Sequence, residues 1–202
     1  MNPLGINLWN WCAGLSEECL GLPEKVARMG FTAVELPMTQ PQCRPRWRMR
    51  SGTQAGCFIV CGSGPGRDLS SFDSAVRAST MDYLTTCLET AGQLGAGILA
   101  GPLYTGGGKR HWLSPDEKKR EWMLAVDGLR ELARRAEHYG VVLSVEPLNR
   151  YRTSVANTAG RCCAWWKKWT RPMWASTSTH ITPAWRNGTS AQRWSRCCRR
   201  AK

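Results

Sequence analysis

The chain has 202 residues, a formal charge of +13, eleven tryptophans and ten cysteines. That length holds one large domain or two small ones and is enough to bury a core. No apolar run approaches the ~20 residues of a membrane span, and no basic segment leads into an apolar run at the start, so the expected setting is the cytoplasm, reducing and without a disulfide framework.

Strand and helix signals alternate along the chain. "GINLWNW" (5–11) reads as a first strand, followed by Pro23 at the opening of a short helix that stops at Gly30. "FTAVELPM" (31–38) and "CFIVCG" (57–62) are the second and third apolar strands. From Asp73, the residues Val76, Thr80, Leu84, Leu88 and Ala91 mark one face of a helix closed near Gly95. "GILAGPLY" (97–104) is the fourth strand. Ser114, Pro115 and Glu117 then form a capping-box start, and Trp122, Val126, Leu129, Ala133 and Ala136 give that helix its buried stripe up to Gly140. "VVLSVEPLN" (141–149) is a fifth apolar strand broken by a carboxylate. Strands that are nearly all apolar and alternate with helices predict an α/β fold with a parallel sheet covered by helices, either open or closed into a barrel.

Glu146 is the leading candidate for chemistry. It ends an apolar strand, and α/β enzymes place their sites at the C-terminal ends of parallel strands. A carboxylate there needs a metal or an arginine to face it; the competing reading is a strand-end Glu held by Lys or Arg. Glu35 is read as ending the second strand in the same way. Trp9, Trp11 and Trp112 lie at strand ends or in the next loop, where they suit either an aromatic wall or the core. His111 reads as a solvated loop histidine. "TGGGKRH" (105–111) is not a phosphate loop, because Arg110 follows Lys109 and Leu103 stands where the first Gly belongs; it reads as a flexible loop able to move over a site.

"EPLNR" (146–150) ending the fifth strand with "NT" (157–158) after it, "GPGRDLSS" (64–71) after the third strand and "GPLY" (101–104) in the fourth occur in an order and spacing that resemble the xylose isomerase-like TIM-barrel superfamily of sugar isomerases and epimerases. Within it the chain is most similar to the D-tagatose/D-allulose 3-epimerase group, over residues 1–38 and 57–160. The resemblance implies an eight-stranded barrel, a small-molecule sugar substrate, no membrane partner, a divalent metal (Mn²⁺, Co²⁺ or Mg²⁺) and a homo-oligomer in the intact family. It implies that Glu146 both binds the metal and removes the substrate proton, while Asn7, Trp9, Cys61, Trp112 and Arg152 contact substrate. The group often has an acid where this chain has Arg152. Its remaining metal ligands, an Asp in an "LDTYH"-type sixth strand, a His on the seventh and a Glu on the eighth, have no match as written.

Two segments stand apart. Residues 161–202 hold ten Lys/Arg and residues 39–56 hold four, with no acid in either, which leaves the rest of the chain at −1. They also carry seven of the eleven Trp and five of the ten Cys. Reading the codons of 165–170 one base out of phase forces Val, Glu and Asp beside the tryptophans, because Trp has a single codon, and with AAG for lysine the run becomes V-E-E-V-D. With free codon choice, "RPMWASTSTHIT" (171–182) becomes P-A-H-V-G-I-H-L-D-T-Y-H, which contains the missing motif. The same shift makes 42–56 a plausible second helix. The expectation is therefore a frameshifted gene: a partial (β/α)8 barrel of about five βα units over 1–160, out of frame at 39–56, with 161–202 a disordered basic tail. Such a product is expected to fold poorly, to hold the metal poorly and to be inactive. The alternatives are a hydroxypyruvate isomerase-like or inosose dehydratase-like enzyme of the same fold, or a basic nucleic-acid-binding protein acting through 161–202. An endonuclease of that fold fits least, because the in-frame part lacks a basic face.

Overall fold

In the computed structural model, which describes residues 4–14, 16–39, 56–62, 64–109, 111–166 and 174–176, the apolar runs form a single parallel sheet. Its strands are β1 (Gly5–Asn7), β2 (Ala33–Met38), β3 (Gly56–Cys61), β4 (Ile98–Gly101), β5 (Val142–Val145) and β6 (Trp174–Ser176), lying side by side in chain order. Among the described residues, helices follow β1, β3, β4 and β5: α1 (Leu22–Arg28), α2 (Ser74–Leu94), α3 (Pro115–His138) and α4 (Ala159–Trp166). Sequential parallel pairing brings every strand's C-terminal end, and the loop that leaves it, to the same rim of the sheet.

Local chemistry sets the long helices. Asp73 caps α2 by accepting from Ala75 N at 2.8 Å, and Gly95 closes it in the left-handed conformation (φ +67°). Both halves of the Ser114–Glu117 capping box are present at α3. Leu84, Leu88 and Ala91 of α2 and Val126, Leu129 and Ala136 of α3 are buried together with Leu36, Ile59, Leu99 and Leu143 of the strands. Burying a side chain of this kind stabilises the fold by about 1.5–3 kcal/mol.

The strands are shorter than the apolar runs. β1 ends at Asn7, whose Oδ1 accepts from Trp9 N at 2.8 Å and turns residues 8–10 into a tight helical turn. β4 ends at Gly101 because its φ of +129° leaves the strand region, and a Cβ there would stand 2.6 Å from Cys61 O. Glu35, expected at a strand end, is the third of six residues in β2.

Residues 161–202 were expected as a disordered tail, yet part of that stretch is built into the fold. The end of α4 buries Trp165 fully, with ring centroids 4.6 Å from Tyr104 and 4.8 Å from Trp122. β6 pairs with β5 in parallel, Leu143 opposite Trp174, and makes a sixth strand beyond the five read from the sequence. Residues 40–55, 167–173 and 177–202, which carry most of the frameshift reading and of the basic tail, lie outside the described residues. Among the described residues no helix is long and apolar enough to cross a membrane.

Candidate functional site

The rim at the strand ends gathers most of the side chains singled out in the sequence. Asn7, last in β1, donates through Nδ2 to Glu35 Oε2 at 2.8 Å, so neighbouring strands are tied by a polar pair at matched register. Trp9 follows at 42 % exposure, and its Cζ2 lies 3.7 Å from where a Cβ on Gly62 would stand, just past β3. Glu146 sits one residue beyond β5, half-buried, with its N–H donating to Gly101 O at 2.9 Å at the end of β4. That bond holds the carboxylate-bearing residue at the junction of two strand ends, although backbone geometry has already ended the strand.

The loop after β5 is clamped from the side. Tyr104 OH donates to Ala156 O at 2.7 Å, and Asn157 Nδ2 donates to Thr153 O at 2.6 Å and Leu148 O at 3.1 Å. The Thr105 and Thr153 hydroxyls meet at 3.0 Å. Burial holds the Tyr104 phenol well above its ordinary pKa of 10, so it stays protonated and donates. Arg152 contributes its carbonyl, which accepts from Gly108 N at 3.0 Å and Lys109 N at 3.2 Å, while its side chain is exposed. The glycine-rich loop, read from the sequence as a flexible loop able to move over a site, is thus tied at Gly108 and Lys109 to the loop after β5. His111 is exposed, in keeping with a solvated loop histidine. Trp112 is 82 % exposed, which removes core packing as its explanation; Trp11 is exposed at 42 %. A cleft of about 430 Å³ opens between the β3–α2 and β4–α3 loops, lined by Pro65, Phe72, Gly107, Lys109 and His111 among others.

Cys61 departs from the expectation that it contacts substrate. It is 3 % exposed and its thiol meets Cys87 and Tyr83, both on α2, so it packs on the helix side of the sheet. Strand alternation decides this: the residue at the end of β3 points to the helix layer. Cys12, Cys19, Cys57, Cys61, Cys87 and Cys162 are free thiols, and burial pushes Cys12 up to about 12 and Cys57 to about 11, so neither of these two is nucleophilic near neutral pH.

Sequence reasoning passed over a buried charge cluster beside the rim. Lys109 Nζ lies 2.8 Å from Asp68 Oδ2 and 2.7 Å from Glu121 Oε1, and it donates to Ser70 Oγ at 2.8 Å and Ser70 O at 3.1 Å. The contact to Glu121 is one of charge rather than an aligned hydrogen bond. Glu121 is only 2 % exposed. One signal for it was legible, since Glu121 stands in phase with Ala125, Leu129, Leu132 and Ala136 on the buried face of α3, where an acid must meet a cation.

Comparison with known proteins agrees with this architecture. Residues 23–173 match the model of the xylose isomerase-like TIM-barrel family. The chain is 28 % identical over 154 residues to a D-psicose 3-epimerase of Agrobacterium fabrum, covering 71 % of this chain and 52 % of the relative. It is 29 % identical over 148 residues to a D-psicose 3-epimerase of Ruminiclostridium cellulolyticum, covering 67 % and 48 %. The chain therefore spans about half the length of these relatives. In fold it is similar to the D-psicose 3-epimerase of Clostridium cellulolyticum H10 solved with D-tagatose, at a TM-score of 0.79 and 23 % identity over 97 % of this chain and 69 % of that one. The parallel six-stranded sheet and the family match over most of its length together place this chain in the xylose isomerase-like TIM-barrel family.

Proposed function

We propose that the chain carries the N-terminal part of a ketose 3-epimerase-like sugar isomerase, with Glu146 as the carboxylate that moves the substrate proton. The observation that carries this reading is the position of Glu146, half-buried and tied through its N–H to the end of β4, on the rim that also presents Asn7, Trp9 and the Arg152 loop. Support for the substrate class comes from the relatives named above, which act on ketoses by their names.

In this reading Glu146 removes the proton from the carbon beside the ketose carbonyl and becomes the neutral acid, leaving an enediolate. Return of a proton to the opposite face inverts the centre, and the resemblance places that second acid on a later strand. Asn7, with its Nδ2 engaged by Glu35, and the exposed rings of Trp9 and Trp112 are positioned to border a sugar, while Arg152 offers a cation from the clamped loop. The resemblance also implies a divalent metal. Among the described residues, no three His, Cys, Asp or Glu side chains gather to hold one. Glu146 alone does not make such a site, and no step here runs through a metal.

The reading extends to the frame. The 202-residue chain is expected to be inactive, and a version with the reading frame restored across the codons of 38–57 and 158–202 is expected to interconvert ketoses when supplied with Mn²⁺, Co²⁺ or Mg²⁺. A panel of D-psicose, D-tagatose, L-ribulose, hydroxypyruvate and an inosose tests substrate class. Turnover by the 202-residue chain would overturn the frame reading, and no turnover of any ketose by the restored version would overturn the epimerase reading. Salt-dependent nucleic-acid binding lost on deleting 161–202 would support the basic-arm alternative instead.

A further inference from the structure

The Lys109 ammonium is enclosed by four oxygens from three residues in two places in the fold: Asp68 Oδ2, Ser70 O and Ser70 Oγ from the β3–α2 loop, and Glu121 Oε1 from α3, at 2.7–3.1 Å. The oxygens are held in place independently of the lysine. Asp68 Oδ1 accepts from Ser70 N at 2.9 Å and Ser70 Oγ at 2.6 Å, and Asp68 N donates to Thr80 Oγ1 at 2.7 Å. The other Glu121 oxygen, Oε2, accepts from Ser154 Oγ at 3.4 Å. Two carboxylates at most 13 % exposed face one cation, so the cage without its cation would leave two buried like charges together.

We infer that Lys109 is a positioning residue that acts as a tethered monovalent cation, filling an oxygen cage that locks three strand-end loops into one body. Through Nζ it joins the β3–α2 loop to α3, and through its own N–H and that of Gly108 it binds Arg152 O in the β5–α4 loop. Trp112 lies three residues further along the same loop, so the cage sets where that exposed ring stands. The lysine stem contributes reach, and the ammonium contributes the bonds. It follows that the cage accepts a free cation of the same chemistry, an ammonium or methylammonium ion, once the side chain is cut back. This inference does not depend on the epimerase reading, because loop order is read without substrate.

The test uses the full chain and Lys109→Ala, with chymotryptic cleavage after Trp112 as the measure of loop opening. Cleavage is expected to rise at least about tenfold in Lys109→Ala, because proteolysis of a locally opened segment tracks its open population. Methylammonium chloride is expected to return it towards the parent rate, and tetramethylammonium chloride at equal ionic strength is expected to leave it raised, since that ion is too large and has no N–H. Lys109→Met, which fills the space with an apolar stem, is expected to cleave fast with either salt. Parent-like cleavage in Lys109→Ala overturns the inference, as does faster cleavage on which the two salts act alike. Should Lys109→Ala fail to fold, reductive methylation of the unaltered chain decides: Lys109 is expected to remain unmodified while exposed Lys118 and Lys119 react, and equal labelling of all three overturns the cage.

Discussion

Asn7 and Glu35 occupy matched positions on adjoining parallel strands and are joined by a 2.8 Å hydrogen bond from Nδ2 to Oε2, while the same asparagine's Oδ1 stops β1 by capping the turn that carries Trp9. One amide thus serves the sheet and the rim at once. Replacing Asn7 by Ala removes a cap and a charge-assisted bond and is expected to cost about 1–2 kcal/mol in urea unfolding. Asn7→Asp is expected to cost more, because it sets a carboxylate against Glu35. Equal stability of the two variants would mean that the pair does not form.

Trp165 decides whether the start of the 161–202 segment belongs to the fold. Its ring is fully buried between Tyr104 and Trp122, so Trp165→Ala is expected to destabilise by about 3–5 kcal/mol. Trp165→Phe is expected to lose much less, since it keeps most of the apolar contact and removes an indole Nε1 that is buried without a partner. No change in the Ala variant would return the segment to a disordered tail.

Gly101 tolerates no side chain. A Cβ there would meet Cys61 O at 2.6 Å while the backbone holds φ at +129°. Gly101→Ala is expected to cost more than about 2 kcal/mol by combined strain and clash, read as a lower denaturation midpoint. Gly95→Ala, with open space at the Cβ but φ +67°, is expected to cost less.

The α3 cap gives a pH dependence of known sign. Ser114→Ala is expected to cost about 1 kcal/mol near neutral pH. The Ser114 N–H and hydroxyl hold the Glu117 carboxyl below its ordinary 4.5. A carboxyl depressed on folding stabilises above its unfolded value, and that contribution fades as pH falls through the depressed one. The parent is therefore expected to lose cap stability below about pH 4.5, and Glu117→Gln to show a shallower acid limb.

Glu146 is tested through the proton it is proposed to move. In the frame-restored protein, Glu146→Gln is expected to slow deuterium exchange from solvent into ketose C3 by at least about 10²-fold, followed by NMR with the fold unchanged by circular dichroism. Exchange at the parent rate would remove Glu146 from the chemistry.

Local signals carried the helices and the position of one candidate carboxylate. The capping box, Asp73 and Gly95 act within a single turn, so α2 and α3 begin and end where short-range chemistry sets them. Glu146 stood out as a candidate because a carboxylate interrupting an apolar run needs a metal or a cation to face it. Strand ends were less legible. The apolar letters continue through 8–11 and 102–104, and only the Asn7 cap and the Gly101 backbone angle end β1 and β4. Residues 40–55 and most of 161–202 offered composition without usable periodicity.

By itself the sequence determined an alternating α/β chain with its helix caps and a carboxylate after the fifth strand, because those depend on neighbours within a few residues. Only the tertiary structure decided that Cys61 faces Cys87 and Tyr83 on the helix side and that Trp165 enters the core. It also brought Lys109 to Asp68 and Glu121, which lie 41 residues before it and 12 after it. Those contacts arise from parallel crossovers that stack distant strand ends on one rim, and no local pattern encodes which distant residues will meet there.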